Sequence, residues 1–118
     1  MESILTSIKK MLGIAEAIEH FDQDLIMHIN SVFTILTNDL GVGSSEGFYI
    51  TGKDDAWEDF IPRDIKKIEA VKTYMYLKVR LVFDPPDRAN VLESINNQIK
   101  EYEWRICNWA ETIDFEEV

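Results

Sequence analysis

The residues that could do chemistry are few, and their spacing suits little of it. His20 and His28 are the two histidines. Asp24 lies four residues before His28, so Asp24 and His28 could share a helix face. A metal site needs a third and a fourth ligand at fixed distances, and neither a nearby cysteine nor a paired histidine supplies them. We therefore expect a surface carboxylate–imidazole pair and no metal site.

Two glycine-containing segments superficially suggest nucleotide-binding loops. GVGSSEG, residues 41–47, follows a predicted helix instead of a strand, and Glu46 would repel a phosphate. TGKD, residues 51–54, lacks both the upstream glycine of a P-loop and the Ser or Thr that follows its lysine. The acidic residues 54–59 lack the alternating oxygen ligands and internal glycine of a calcium loop. We expect no cofactor.

Nucleophilic catalysis has no better support. Cys107 is the single cysteine and lies on the last predicted helix beside an apolar stripe, where a buried, inert thiol is the usual outcome. The serines have no paired base and no nucleophile-elbow motif. The sequence therefore predicts no catalytic residue and a protein that is not an enzyme.

The apolar spacing predicts an all-α fold, a small bundle of about four helices in a single domain, residues 1–118. The first helix runs from Ser3 to Leu12. The second begins with Asp22 as its N-cap, with Phe21 packing onto Ile26, and ends at Gly41.

The third element can be interpreted in two ways. In KTYMYLKVRLVFDPPD, residues 72–87, apolar and polar residues alternate as in an edge strand, yet the helical spacing already begins at Ile65. No helix breaker intervenes before Asp84 and the two prolines that follow. A helix from Ile65 to Phe83 is therefore favoured over a strand.

A long irregular loop, residues 41–64, separates the second and third helices and contains four of the five glycines. Phe48 to Ile50 is predicted to be a short strand or an extended stretch, and DDAWEDF, residues 54–60, a single helical turn. Trp57 and Phe60 in this turn have two possible roles, as core anchors or as an exposed contact patch, and anchoring is favoured.

The last helix follows the double proline, with Asp87 as its cap. Its apolar residues alternate steps of three and four, as in a heptad: Leu92, Ile95, Ile99, Tyr102, Ile106, Trp109 and Ile113. This stripe is expected to pack antiparallel on the third helix of the same chain. The alternative is that part of it, with Trp104 and Cys107 beside it, meets another subunit. Residues 112–118 are expected to form a flexible acidic tail.

The charge of −10 at pH 7 argues against non-specific binding to nucleic acid. Residues 1–59 carry eleven acids and three bases, residues 60–88 four acids and seven bases, and residues 89–118 seven acids and two bases. Such a pattern is either a solvated surface or the basis of a head-to-tail contact between subunits. The lone cysteine suits a reducing compartment, and neither a signal peptide nor an apolar run long enough for a bilayer is evident.

Three segments together resemble the small head–tail connector, or adaptor, proteins of long-tailed phages and prophages. These are HFDQDLIMHINSVFTILTNDLGVG from residue 20, EAVKTYMYLKVRLVFDPP from residue 69, and the end of the last helix at EWRICNWAE, residues 103–111. The likeness extends from about Ile4 to Glu111. Its most specific element is the aromatic-rich third helix that closes on residues 83–86.

The resemblance implies a virion structural subunit at the head–tail junction, present in the host cytoplasm during assembly. It implies a homo-oligomeric ring, dodecameric in the virion, that contacts the portal protein and a stopper or tail-completion protein. DNA would pass through the ring without sequence-specific binding, and no membrane would be involved. The alternative function is a small acidic regulatory or DNA-mimic protein that acts as a dimer.

Candidate interface residues follow from position and expected exposure, because the family has no motif that marks its contacts. They are Trp57, Phe60, Lys66, Lys67, Trp104, Trp109, Ile113 and Phe115.

Overall fold

The structure, a computed structural model, describes residues 2–43, 46–61 and 65–117, and the side chains of residue 65 and of residues 110–117 are outside that description. The fold is all-α, as predicted, and the described residues include no strand. The helices are α1 (Ile4–Met11), α2 (Asp22–Thr34), α3 (Trp57–Phe60), α4 (Ile65–Phe83) and α5 (Ala89–Glu117).

The start of α2 differs from the prediction. Asp22 is the first helical residue and Phe21 occupies the N-cap position, without a side-chain capping bond. The Asp22 carboxylate instead lies 2.9 Å from Nζ of Lys9, a buried ammonium that requires a counter-charge. The Phe21 ring packs edge-on against Phe83, with the ring centroids 5.4 Å apart.

The second helix reaches its predicted end by an unpredicted route. After Thr34 the chain continues as a π-helical turn, Ile35–Asp39, which closes with a bond from the Leu40 N–H to the Ile35 carbonyl. Gly41 follows at φ 72°, a left-handed conformation that glycine adopts without strain. The predicted stop is therefore correct, although the last turn is wider than in an α-helix.

Helix α4 lies at the centre of the bundle, and the helical interpretation of residues 65–83 is confirmed. It packs against α1, α2 and α5. Contacts on several sides explain why it is apolar around most of its circumference. Its fully or nearly buried residues are Val71, Tyr74, Met75, Leu77 and Val79.

Helix α5 packs on α4 within the chain, as predicted. Ile95, Ile99 and Ile106 are buried, and the Tyr74 hydroxyl of α4 donates to Glu103 Oε2 at 2.7 Å. This bond joins residues far from the turn at residues 84–88, so the helices run antiparallel. The 29 residues of α5 extend about 44 Å at 1.5 Å per residue, close to the longest dimension of the molecule, 45 Å. Residues 112–117, part of the acidic tail expected to be flexible, continue this helix.

Candidate interaction surfaces

The irregular loop turns Phe48, Trp57 and Phe60 inward. Trp57 is 1% exposed and Phe60 is 6% exposed. The Phe33 ring of α2 lies at their centre, with its centroid 4.7 Å from that of Phe60 and 4.9 Å from that of Phe48. Of the two roles considered for Trp57 and Phe60, core anchoring is therefore the one observed, and their side chains form no contact patch in this subunit.

Hydrogen bonds fasten the same loop to α1. The indole Nε1 of Trp57 donates to Ser7 Oγ at 2.9 Å, a bond that is buried on both sides. The Ile4 N–H donates to the Asp55 carbonyl, and the Trp57 N–H donates to the Glu2 carbonyl. The short helix α3 begins where Asp59 Oδ2 accepts from the Ala56 N–H at 2.9 Å. A loop that looks irregular in sequence is thus tied down through backbone and side chain alike.

Gly43 shows how closely the loop approaches the core. Its φ is 82°, and a Cβ added there would lie 2.7 Å from Cε1 of Phe60. Both the conformation and the contact therefore require glycine.

One exposed aromatic residue in this loop was missed by the sequence reasoning. Asn30 of α2 binds Ile50 twice, accepting from its N–H at 2.7 Å and donating to its carbonyl at 3.0 Å. Because Phe48 and Ile50 face inward, Tyr49 between them faces outward and is 70% exposed. The alternation inside the FYI stretch was the available signal.

The α5 side of the molecule carries a second strongly exposed aromatic residue, Trp104, at 69% exposure. Its neighbour Trp109 is half-buried against the core, and Cys107 is half-buried between them. Ile113 and Phe115 lie on the helical backbone of α5, but their side chains are outside the described part. Among the aromatic interface candidates whose side chains the structure describes, Trp104 is thus the one left most open to a partner.

The basic candidates lie at the start of α4. Lys66 is exposed, and Lys67 is half-buried. One turn further along, Lys72 pairs with Glu2 and lies 3.7 Å from Glu69, so part of the positive charge of α4 is balanced within the subunit.

A buried lysine organises the segment between α1 and α2. Lys9 is 2% exposed, and its ammonium donates to the carbonyls of Glu16 at 3.0 Å and Ile18 at 2.6 Å besides pairing with Asp22. A cleft of about 390 Å³ opens beside it. No group of three His, Cys, Asp or Glu side chains in the described residues is placed to hold a metal ion.

The described residues thus form a helical subunit in which two aromatic side chains, Tyr49 and Trp104, are about 70% exposed, and they contain no clustered metal ligands. Comparison with protein families gives a match to the phage connector protein family over residues 4–112. The chain belongs to this family. Comparison with curated proteins and with solved structures gives no match.

Membership of the phage connector family supports a structural role among phage head and tail components and a location in the virion. The family is structural and is not known for catalysis. Within the described residues, no helix is long and apolar enough to cross a bilayer.

Proposed function

We propose that this protein is a ring-forming subunit of the phage head–tail junction, joining the portal to the tail and lengthening the DNA channel. The observation that carries the proposal is the family match over residues 4–112, nearly the whole chain. A connector subunit of this size needs neighbouring copies to enclose a channel, because 13.7 kDa of protein cannot surround a DNA duplex alone.

The charge of the subunit is consistent with such a channel. At −10 the chain repels the phosphate backbone, so DNA can slide past without adhering to the wall. The basic residues of α4 would then serve protein contacts. Lys66 and Lys67 are our candidates for meeting an acidic surface of the portal protein or of a neighbouring subunit.

The α5 side supplies the second group of proposed contacts. Trp104 is exposed, and Trp109, Ile113 and Phe115 follow it toward the end of the helix. Exposed tryptophan is enriched among residues that dominate interface energies. Trp57 and Phe60 would act indirectly in this scheme, by holding the surface of the loop in place.

The direct test is the mass of the purified protein, measured by light scattering behind a sizing column and followed by negative-stain microscopy. We expect a discrete large oligomer seen as rings, either alone or after addition of the portal protein of the same phage. A dimer that persists at every concentration and ignores the portal would contradict the ring and favour a small regulatory protein.

A further inference from the structure

Between the exposed Asp24 in its first turn and the exposed Asp39, the outer face of α2 and of the π-helical turn that extends it carries no charged side chain. Residues 25–38, LIMHINSVFTILTN, include no Asp, Glu, Lys or Arg, in a chain in which 29% of residues are charged. The loop segment beside it, GFYITG at residues 47–52, is also free of charged residues. The exposed side chains of the two segments form what we call the charge-free face: Met27, Ser31, Thr34, Asn38 and Tyr49.

The two aliphatic hydroxyl groups of this face, those of Ser31 and Thr34, donate hydrogen bonds within the helix itself. Ser31 donates to the Met27 carbonyl at 3.1 Å, and Thr34 donates to the Asn30 carbonyl at 3.1 Å. Because these hydroxyl protons are already bonded to backbone carbonyls, covering the two side chains with another protein surface leaves no hydroxyl donor unpaired. The free-energy cost of desolvating them is therefore small.

Two large side chains of this face protrude into solvent. Met27 is 58% exposed and Tyr49 is 70% exposed. The paired hydrogen bonds between Asn30 and Ile50 fix the backbone next to Tyr49, so that its ring is presented from a fixed position at little entropic cost. Low charge, adaptable methionine and fixed tyrosine are the features of an interface centre.

The surface around Trp104 on α5 does contain charged residues, but their charges sum to zero. Residues 97–108 carry two acids and two bases. Arg105 pairs with Glu101, and its guanidinium lies 5.9 Å from the centroid of the Tyr102 ring. Glu103 is engaged by the Tyr74 hydroxyl. Trp104 thus stands in a region whose charges are compensated locally.

Charge selects the occupant of the charge-free face. A basic partner would gain most from the acidic surfaces and nothing from this one, whereas two copies that each carry −10 repel, and a surface without unbalanced negative charge lets them meet at a lower electrostatic cost. The charge-free face lies on α2 and the Trp104 surface lies on α5. Each of these helices packs against α4 through its own set of contacts. Because the two surfaces differ, their pairing is head-to-tail and can close into a ring.

We infer that the charge-free face of one subunit receives the Trp104 surface of a second copy of this chain. This inference rests on the proposed ring and adds the two surfaces that form it. It also changes the expected response to salt. A contact between oppositely charged surfaces weakens with added salt, whereas this contact strengthens, because salt screens the repulsion between acidic subunits.

Cross-linking between two distinguishable chains tests the pairing directly. Cys107, one helical turn from Trp104, is the natural thiol on that surface. A tagged Thr34→Cys/Cys107→Ala variant, mixed with the wild-type protein and a short bismaleimide, should give a covalent heterodimer joining position 34 to Cys107. Each protein alone should give little homodimer.

The matched control is Thr73→Cys/Cys107→Ala. The Thr73 hydroxyl donates to the Glu69 carbonyl at 3.0 Å, as that of Thr34 does to Asn30, but it lies on α4. Position 73 should give no heterodimer. Absence of the 34–107 product, an equal yield from position 73, or dominant 34–34 homodimers would each overturn the inference.

A second variant separates this inference from the proposed ring. Thr34→Arg places a charge on the face and should weaken self-association at least about tenfold, whereas Thr73→Arg should not. Association of the wild-type protein should also increase between about 0.1 M and about 1 M salt, where the screening length falls from about 10 Å to about 3 Å. Rings that persist in Thr34→Arg would refute these surfaces and leave the ring standing, whereas a 34–34 dimer without rings would refute both.

Discussion

Trp57 and Trp104 differ more than their sequence contexts suggest. Trp57 lies in the least regular segment of the chain, among acidic residues, and is 1% exposed. Trp104 lies in the most regular helix and is 69% exposed. The loop is irregular because its backbone must bring large aromatic side chains into the bundle, and α5 is regular because it buries only one stripe of its surface. For these two tryptophans, the irregular segment provides the contact with the core and the regular helix provides the open surface.

The largest predicted effect tests this contrast. Trp57→Ala should lower the free energy of unfolding by about 3 to 5 kcal/mol, because it empties a buried site and leaves Ser7 Oγ without its indole donor. The matched change Trp104→Ala should alter it by no more than about 0.5 kcal/mol, since an exposed side chain contributes little to monomer stability. Urea denaturation followed by circular dichroism measures both, at a protein concentration where self-association is absent. Equal losses in the two variants would contradict the assignment.

The second irregular segment, between α1 and α2, depends on a single ammonium group. Lys9→Met should cost about 3 kcal/mol, near the lower end for breaking a buried ion pair because Asp22 retains 23% side-chain exposure. The adjacent Lys10→Met removes an exposed lysine from the same helix and should have little effect. Urea denaturation of the two variants provides the comparison. Similar stability for Lys9→Met and Lys10→Met would show that the contacts to Glu16, Ile18 and Asp22 contribute nothing net.

These two segments mark the limit of what the sequence could predict. Apolar periodicity located all four long helices. The two prolines after Phe83 marked the end of α4, and the glycine at 41 marked the end of the second helix. Long-range polar contacts leave no periodic signal. Cap residues are recognised locally, so the sequence predicts Asp22 as an N-cap, whereas the partner of its carboxylate, Lys9, lies thirteen positions earlier. Exposure of Tyr49 likewise depends on Asn30, nineteen positions earlier, which fixes the stretch that carries it.

Asn30 therefore provides a third test, of intermediate size. Asn30→Ala leaves the N–H and the carbonyl of Ile50 without their protein partner and should cost about 2 kcal/mol. Asn97→Ala, an exposed position on α5, is the control. Amide hydrogen exchange should show faster exchange at Ile50 in the variant and unchanged exchange in α5. Unaltered protection at Ile50 would mean that the aromatic cluster alone fixes the loop.

The smallest predicted effect concerns the contact between α4 and α5. Burial and the hydrogen bond to the Glu103 carboxylate raise the pKa of Tyr74 above its unfolded value near 10. Because the pKa is raised, the unfolded chain releases this proton more readily than the folded chain above about pH 10. The stability contributed by Tyr74 is therefore complete below that pH and is lost as the pH rises. Tyr74→Phe should cost about 1 kcal/mol at neutral pH. It should also reduce the loss of stability above pH 10, by up to about 1.4 kcal/mol per pH unit.

Urea midpoints measured across that pH range separate the two components, and Tyr49→Phe, which removes the hydroxyl of an exposed tyrosine, is the matched control. An alkaline slope that is the same in both variants would show that Tyr74 does not couple ionisation to folding. In that case packing of Ile95, Ile99 and Ile106, and not the Tyr74–Glu103 bond, would account for the attachment of α5 to α4. A shallower alkaline slope of stability in Tyr74→Phe alone would show that the buried Tyr74–Glu103 hydrogen bond contributes to holding α5, the helix that carries Trp104, against α4.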